Sequence, residues 1–224
     1  MKIIFTGGTG RFGTIFQKKT KLKNILNPTK KELNILNIES IQKYLKKKKP
    51  KIIIHAAALS RPMEIHIKEI NKSIDNNIIG TSNLVKICSE LDIKIIYLST
   101  NYVYPGTKGN YKEGDPLLPY NNYAWSKLGG ECAVQMYKNS LIIRLSMTEK
   151  PFIHKYAFKD LITNFIFHEE IVKIFPKILK LKGTINIGGK SQSAHKFAKK
   201  FNKKVIGVFS TKILKEKIPL NHSM

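Results

Sequence analysis

Continuous runs of apolar residues recur along the chain at positions 2–5, 23–26, 52–55, 94–98 and 141–145. None of them alternates apolar with polar, as a strand with one wet face would; such runs suit strands covered on both sides. The stretches between them, at 11–19, 38–44, 70–91 and 123–137, repeat their apolar positions at helical spacing. Strand and helix therefore alternate, which predicts an α/β fold with a doubly wound parallel sheet. Beyond Leu145 the pattern loosens around Pro151. A helix is expected over 169–180 and a strand over 184–187, and Ser191 or Ser193 is placed to cap a last short helix.

Composition narrows the picture. At 224 residues, with 42% apolar and 9% aromatic residues, the chain has the length and content for one well-buried core. Forty Lys+Arg against 15 Asp+Glu give a net charge of +25. That excess is nearly all lysine and is spread over most of the chain. Its one dense block, Lys46 to Lys49, falls near an expected helix C-terminus, where it suits the dipole. A general drift toward Lys, Ile and Asn accounts for this pattern, so a nucleic-acid partner is not expected, although the field would draw in an anionic nucleotide. Cys88 and Cys132 show no CxxC or metal-ligand spacing and read as core or near-core thiols; no metal is expected. No run approaches ~18 apolar residues, and the first is too short for a secretory signal, so the expectation is a cytoplasmic protein without a membrane span.

The run at 2–5 leads directly into "TGGTGRFG", with glycines at 7, 10 and 13. A helix N-terminus offers unpaired N–H groups and a positive dipole end, on which a pyrophosphate can rest if the backbone comes close. Gly7 permits the tight turn out of the strand, Gly10 removes a side chain beside the phosphates, and Gly13 lets the helix pack on the sheet. Strand before and helix after are the context this fingerprint requires. Gly7, Gly10, Arg11, Phe12 and Gly13 are thus candidate cofactor residues of a Rossmann fold. The chain divides into an NAD(P)-binding domain, residues 1–145, and a short substrate-binding region, residues 146–224, on the same core.

An NAD site usually places an acid ~20 residues beyond the glycines, against the ribose 2′-hydroxyl. Here that stretch holds Asn27, Thr29, Lys30 and Lys31, which fit a 2′-phosphate better, and Arg11 is near enough to help. NADP is the expected cofactor, with NAD as the alternative.

Thr100 closes the apolar run at 94–98, at the strand end where open α/β sheets bind ligands. Downstream, "YAWSK" sets Tyr123 and Lys127 four residues apart, on one helix face. An ammonium beside a phenol favours phenolate and lowers a pKa otherwise near about 10, which would let Tyr123 act as acid or base near neutrality. Thr100 would hold a carbonyl oxygen while Tyr123 delivers its proton.

With these pieces in place, the chain resembles the extended short-chain dehydrogenase/reductase family, and within it the dTDP-4-dehydrorhamnose reductase group. The matching segments are "TGGTGRFG", "IIIHAAALSRP", "NNIIGTSNLVKIC", "LSTNYVYPGTKGNYKE", "YAWSKLGGE" and "IIRLS", in family order over residues 1–147. The resemblance implies Thr100, Tyr123 and Lys127 as a catalytic triad, with Lys127 also on the nicotinamide ribose. It implies Ala56, Ala57 and Ala58 along the cofactor, Leu145 to Met147 near the nicotinamide, Asn34 at the adenine, and Asn77 supporting the active-site strand or a relay water. His55 is expected only to be bonded locally at its strand end. Two departures stand out: Asn101 replaces the family's usual aspartate, and "ELNILN" replaces its Leu-Asp-Ile.

The function this implies is NADP-dependent reduction of a nucleotide-linked 4-keto-6-deoxy sugar, with a nucleotide-diphosphate sugar as substrate and a homodimer built on the helices at 70–91 and 123–137. A 4-epimerase or dehydratase of the same family is the alternative enzyme; a non-catalytic, NADP-binding regulatory protein is the alternative outside catalysis.

Overall fold

The computed structural model describes residues 1–224 apart from 213 and 215–217. The first part of the chain runs β1 (Ile3–Thr6), α1 (Arg11–Lys19), β2 (Ile25–Leu26), α2 (Ile38–Lys48), β3 (Ile52–His55), α3 (Ile65–Lys68), α4 (Ile70–Ile74), α5 (Gly80–Glu90), β4 (Lys94–Thr100), α6 (Asn122–Gln135) and β5 (Ser140–Leu145). There follow β6 (Met147–Thr148), β7 (Tyr156–Phe158), β8 (Ile162–Thr163), β9 (Ile166–Phe167), α7 (His168–Ile178), β10 (Gly183–Ile187), β11 (Gln192–Ser193), α8 (Ala194–Phe201) and β12 (Ile206–Val208). Six strands form one parallel sheet in the order β10-β5-β4-β3-β1-β2.

The unbroken apolar runs are explained by what covers each face. Successive side chains of a strand point to opposite sides. Ile3 and Phe5 of β1, with Ile52, Ile54, Ile96, Leu98, Leu141 and Ile143, meet Phe12 and Phe16 of α1 and Ile171 and Phe175 of α7. Ile4, Ile53, Ile95, Tyr97 and Ile142 instead meet Ile41 and Leu45 of α2, Leu84 and Cys88 of α5, and Val134 of α6. Phe5 stacks on Phe16 at 4.3 Å between centroids, which seats α1 close against β1.

The expected helix at 70–91 is two helices joined by one wide π-type turn, Asp75–Ile79. Such a turn admits one extra residue, which re-aims its side chains while the helical path continues. Cys88 is buried as expected, but Cys132 is exposed, because it falls on the outward side of α6. Ser193 rather than Ser191 caps α8, accepting from the Lys196 N–H at 3.2 Å.

The loosened pattern after Leu145 reflects very short strands. β6 pairs with β9, β7 with β12 and β8 with β11, each outside the main sheet. They enclose a small apolar cluster of Phe152, Ala157, Phe167, Phe197, Ala198 and Val205. β10 joins the main sheet beside β5, and α7 packs against α1. No helix among the described residues is long and apolar enough to cross a membrane.

Candidate active site

β1 lies between β2 and β3, and the strand order reverses there. In an open parallel sheet that reversal leaves a crevice at the carboxyl ends of the strands. The glycine turn fills its floor. Gly7 has φ +81°, and a Cβ there would come within 2.6 Å of the Ala57 nitrogen and 2.7 Å of the Ala56 carbonyl carbon. A Cβ on Gly13 would collide with the Gly7 oxygen. The chain thus passes so close to itself that only glycine fits, and the first turn of α1 opens onto the crevice with its N–H groups free of side chains. This is a cradle matched to a pyrophosphate.

The crevice continues into a cleft of about 1300 Å³. Gly7, Gly10, Arg11, Phe12, Gly13, Ala56, Ala58, Thr100, Tyr123, Lys127 and Leu145 all line it. Ala57 does not; its N–H points at the Thr6 hydroxyl, 3.4 Å away. Asn27, Thr29 and Lys30 are exposed on the loop after β2, at the same edge of the sheet but outside the cleft lining. Thr29 is engaged by an acid that the sequence reading passed over: its N–H and hydroxyl both donate to Glu32, at 2.8 and 3.0 Å. Asn34 is half-buried and accepts from the Leu36 N–H at 3.2 Å.

Thr100 ends β4 nearly buried, and its Oγ1 accepts from the Tyr102 N–H at 3.3 Å. Tyr123 stands in the first turn of α6, capped by the Asn121 side chain. The expected lowering of its phenol by Lys127 is not what the geometry gives. Burial, and next the neighbouring Tyr102, push the Tyr123 phenol up to about 12, against a smaller downward pull from the Thr100 hydroxyl and the Arg61 charge. The Lys127 ammonium stands over the Tyr97 ring, 4.0 Å from its centroid. Burial brings Lys127 down to about 7, partly offset by the nearby Glu131 carboxylate.

Asn77, inside the π-type turn and fully buried, clamps the loop after β3 to α6. Its side chain accepts from the Leu59 N–H and donates to the Leu59 carbonyl and to Ser126 Oγ, each at 2.8 Å. His55 is held between Thr6 Oγ1 at 2.8 Å and Thr81 Oγ1 at 3.1 Å. Burial, and next the Lys127 charge, depress it to about 3, so its ring is neutral.

Several cleft residues carried no sequence signal. Glu149 pairs with Arg11 at 3.2 Å and with Arg61 at 3.6 Å, joining the glycine loop to the segment after β6. His154 and His168 line the same side, and Tyr102 and Tyr120 wall the side near Thr100. Behind the cleft, Arg144 of β5 pairs with Glu131 of α6 at 2.9 Å and donates to the Tyr104 hydroxyl at 2.8 Å. Glu131 lies four residues after Lys127, so the helical spacing that singled out Tyr123 and Lys127 extends to it; the partner was not legible.

Residues 1–154 match the family model described as RmlD substrate binding domain. Methionine adenosyltransferase 2 subunit beta of Rattus norvegicus is 29% identical over 142 residues, 59% of this chain and 42% of that protein. The spore coat polysaccharide biosynthesis protein SpsK of Bacillus subtilis is 31% identical over 150 residues, 65% of this chain and 52% of that protein. Among solved structures, the dTDP-4-dehydrorhamnose reductase of Bacillus anthracis, in complex with NADP, superposes with a TM-score of 0.88 at 26% identity, covering 100% of this chain and 90% of the other. The chain spans about half or less of the length of the two curated relatives.

Proposed function

The chain belongs to the RmlD substrate-binding-domain family, and from that premise we propose that it is an NADP-dependent reductase of a nucleotide-linked 4-keto-6-deoxy sugar. The observation that carries this reading is the meeting of Thr100, Tyr123 and Lys127 in one cleft with the glycine turn. Gly7, Gly10, Arg11, Phe12 and Gly13 would hold the dinucleotide pyrophosphate, with Ala56, Ala58 and Leu145 along its length. Lys30 and Lys31, exposed beyond β2, favour a 2′-phosphate; Glu32 beside them is the feature that would favour NAD instead. When bound, the nicotinamide would supply a hydride to the sugar carbonyl carbon.

The residues of the chain do the rest. A phenol held at about 12 is protonated at neutral pH, which suits Tyr123 to donate a proton rather than to take one. Thr100 would hold the carbonyl oxygen, and Lys127 would supply positive charge beneath it. Residues 146–224 would form the substrate side of the cleft. The reading assigns the protein to the cytoplasm, where Cys88 and Cys132 remain thiols. It also assigns a homodimer, supported by the exposed Ile70 and Ile74 of α4, Trp125 of α6 and Met136 just beyond the end of α6; sedimentation of the wild type beside Trp125→Glu tests it.

The decisive experiment follows the absorbance of NADPH with a panel of nucleotide-4-keto-6-deoxyhexoses, wild type beside Tyr123→Phe. Oxidation by wild type alone is expected, with cofactor binding equal in both. NADPH binding without turnover in either protein overturns the reductase reading and leaves an epimerase that recycles its cofactor or a cofactor-binding subunit.

A further inference from the structure

Residues 219–224 return to the reaction site from the far side of the substrate region. The Asn221 N–H donates to the Gly106 carbonyl at 2.8 Å and its side chain to the Lys108 carbonyl at 3.1 Å. The Tyr111 N–H donates to the Ser223 carbonyl at 3.1 Å, and the Asn110 N–H to Ser223 Oγ at 2.8 Å. On the other side, the Ile162 N–H of β8 donates to the Leu220 carbonyl at 2.7 Å, and the His222 N–H to the Ile162 carbonyl at 2.9 Å. The segment therefore bridges β8 and the loop that follows Thr100.

His222 is the centre of that bridge. It is 1% exposed, and its ring lies 5.1 Å from the Tyr102 ring and 5.0 Å from the Tyr120 ring, behind the cleft wall these two form. Gly106, with φ +73°, leaves no room for a Cβ because the His222 ring occupies that space. The carbonyl of His222 accepts from the Asn101 side-chain amide at 3.1 Å. Asn101 is the position where the chain departs from the aspartate usual among the proteins it resembles. A carboxylate cannot donate this bond and would set two acceptors face to face; the asparagine and the His222 carbonyl are a matched pair.

We propose that His222 is a positioning residue for the reaction: through its ring it fixes the Tyr102–Tyr120 wall, and through its carbonyl it fixes Asn101 and so the neighbouring Thr100. This rests on the reductase reading above. The ring is neutral in this role, since burial lowers it to about 4.

The test compares His222→Ala, His222→Phe and Asn101→Asp with wild type in NADPH binding, kcat, KM for the sugar nucleotide, and hydrogen exchange across residues 101–111. For His222→Ala and Asn101→Asp the expectation is unchanged NADPH affinity, faster exchange, and a kcat lower by about 10- to 100-fold, the scale that a small misplacement of reacting groups produces. His222→Phe keeps a ring between the two tyrosines and is expected to recover most of kcat. Wild-type kcat and exchange in His222→Ala overturn the proposal, as does loss of NADPH binding in step with kcat, which marks general destabilisation. If wild type reduces no sugar offered, the reductase reading fails separately; exchange then decides the clamp, and unchanged protection over 101–111 removes it.

Discussion

Lys127 directs its ammonium at the face of Tyr97, 4.0 Å from the ring centroid, and Tyr97 in turn donates its hydroxyl to the Lys127 carbonyl at 3.1 Å. The pair keeps a lysine that is 3% exposed inside the core of α6 and β4. Its pKa of about 7, against an ordinary 10.5, means that the unfolded chain holds this proton more tightly than the folded one. Stability is therefore gained as pH rises from about 7 toward 10.5, and the buried charge costs most below 7. Lys127→Met is expected to abolish turnover yet stabilise the fold by about 1–3 kcal/mol at pH 6, with a smaller gain at pH 9. Urea denaturation at the two pH values checks this.

Glu149 holds two guanidinium groups across the cleft. Arg11 and Arg61 are each nearly half exposed, so these ion pairs add little to stability. Their effect should fall on ligands. Glu149→Gln frees Arg11 and Arg61 for phosphate, and NADPH affinity is expected to rise roughly 3- to 10-fold at low salt and less at high salt, with unfolding changed by under about 0.5 kcal/mol. Fluorescence titration at two ionic strengths decides it; equal affinities in the two proteins would mean that Arg11 does not meet the cofactor.

The Glu131–Arg144 pair is a different case, since the side chains are only 3% and 6% exposed. Arg144 also donates to the Tyr104 hydroxyl and to the Glu113 carbonyl, tying β5 and α6 to the loop beyond Thr100. Glu131→Gln leaves a buried guanidinium without its counter-charge, and a loss of about 3–5 kcal/mol is expected. Arg144→Lys should not restore wild-type stability, because an ammonium lacks the fork that reaches all three partners. Chemical denaturation of both variants measures the difference.

Two histidines set the acid limit. His55, held at about 3, and His222, at about 4, are neutral in the fold, whereas in the unfolded chain both take a proton near the ordinary 6.5. The stability they contribute is complete above about 6.5 and is lost as pH falls through 4 and then 3. Between pH 6 and 4.5 unfolding free energy is expected to drop by roughly 1–3 kcal/mol per pH unit. His222→Phe should flatten that slope by about one proton; denaturation midpoints across this range provide the check.

What could be read from the sequence was what is local. The strand at 3–6, the glycine turn and α1 follow one another directly, so their pattern carries its own context. Tyr123 and Lys127 share a helix face, so their spacing is visible. The π-type turn at Asp75–Ile79 was hidden because a single wide turn between two helices alters the helical spacing by only one residue. The region after Leu145 was opaque for another reason: Met147 pairs with Ile166 and Tyr156 with Ile206, in strands too short to show a period. The partnership of Arg11 with Glu149 and the seat of His222 behind Tyr102 likewise join residues with no neighbourhood in sequence.

The cleft takes its walls from the turns after β1 and β3 and from the ends of β4 and β5, and the segment that carries His222 backs the wall formed by Tyr102 and Tyr120. Contacts of that kind are made against the entropy of closing large loops. The close contacts of Gly7 and Gly13 all fall within the first 57 residues, whereas the wall beside Thr100 is backed by residue 222. The glycine cradle is thus a product of two strand–turn units adjacent in the sheet, whereas the wall beside Thr100 depends on a contact between residues 121 positions apart.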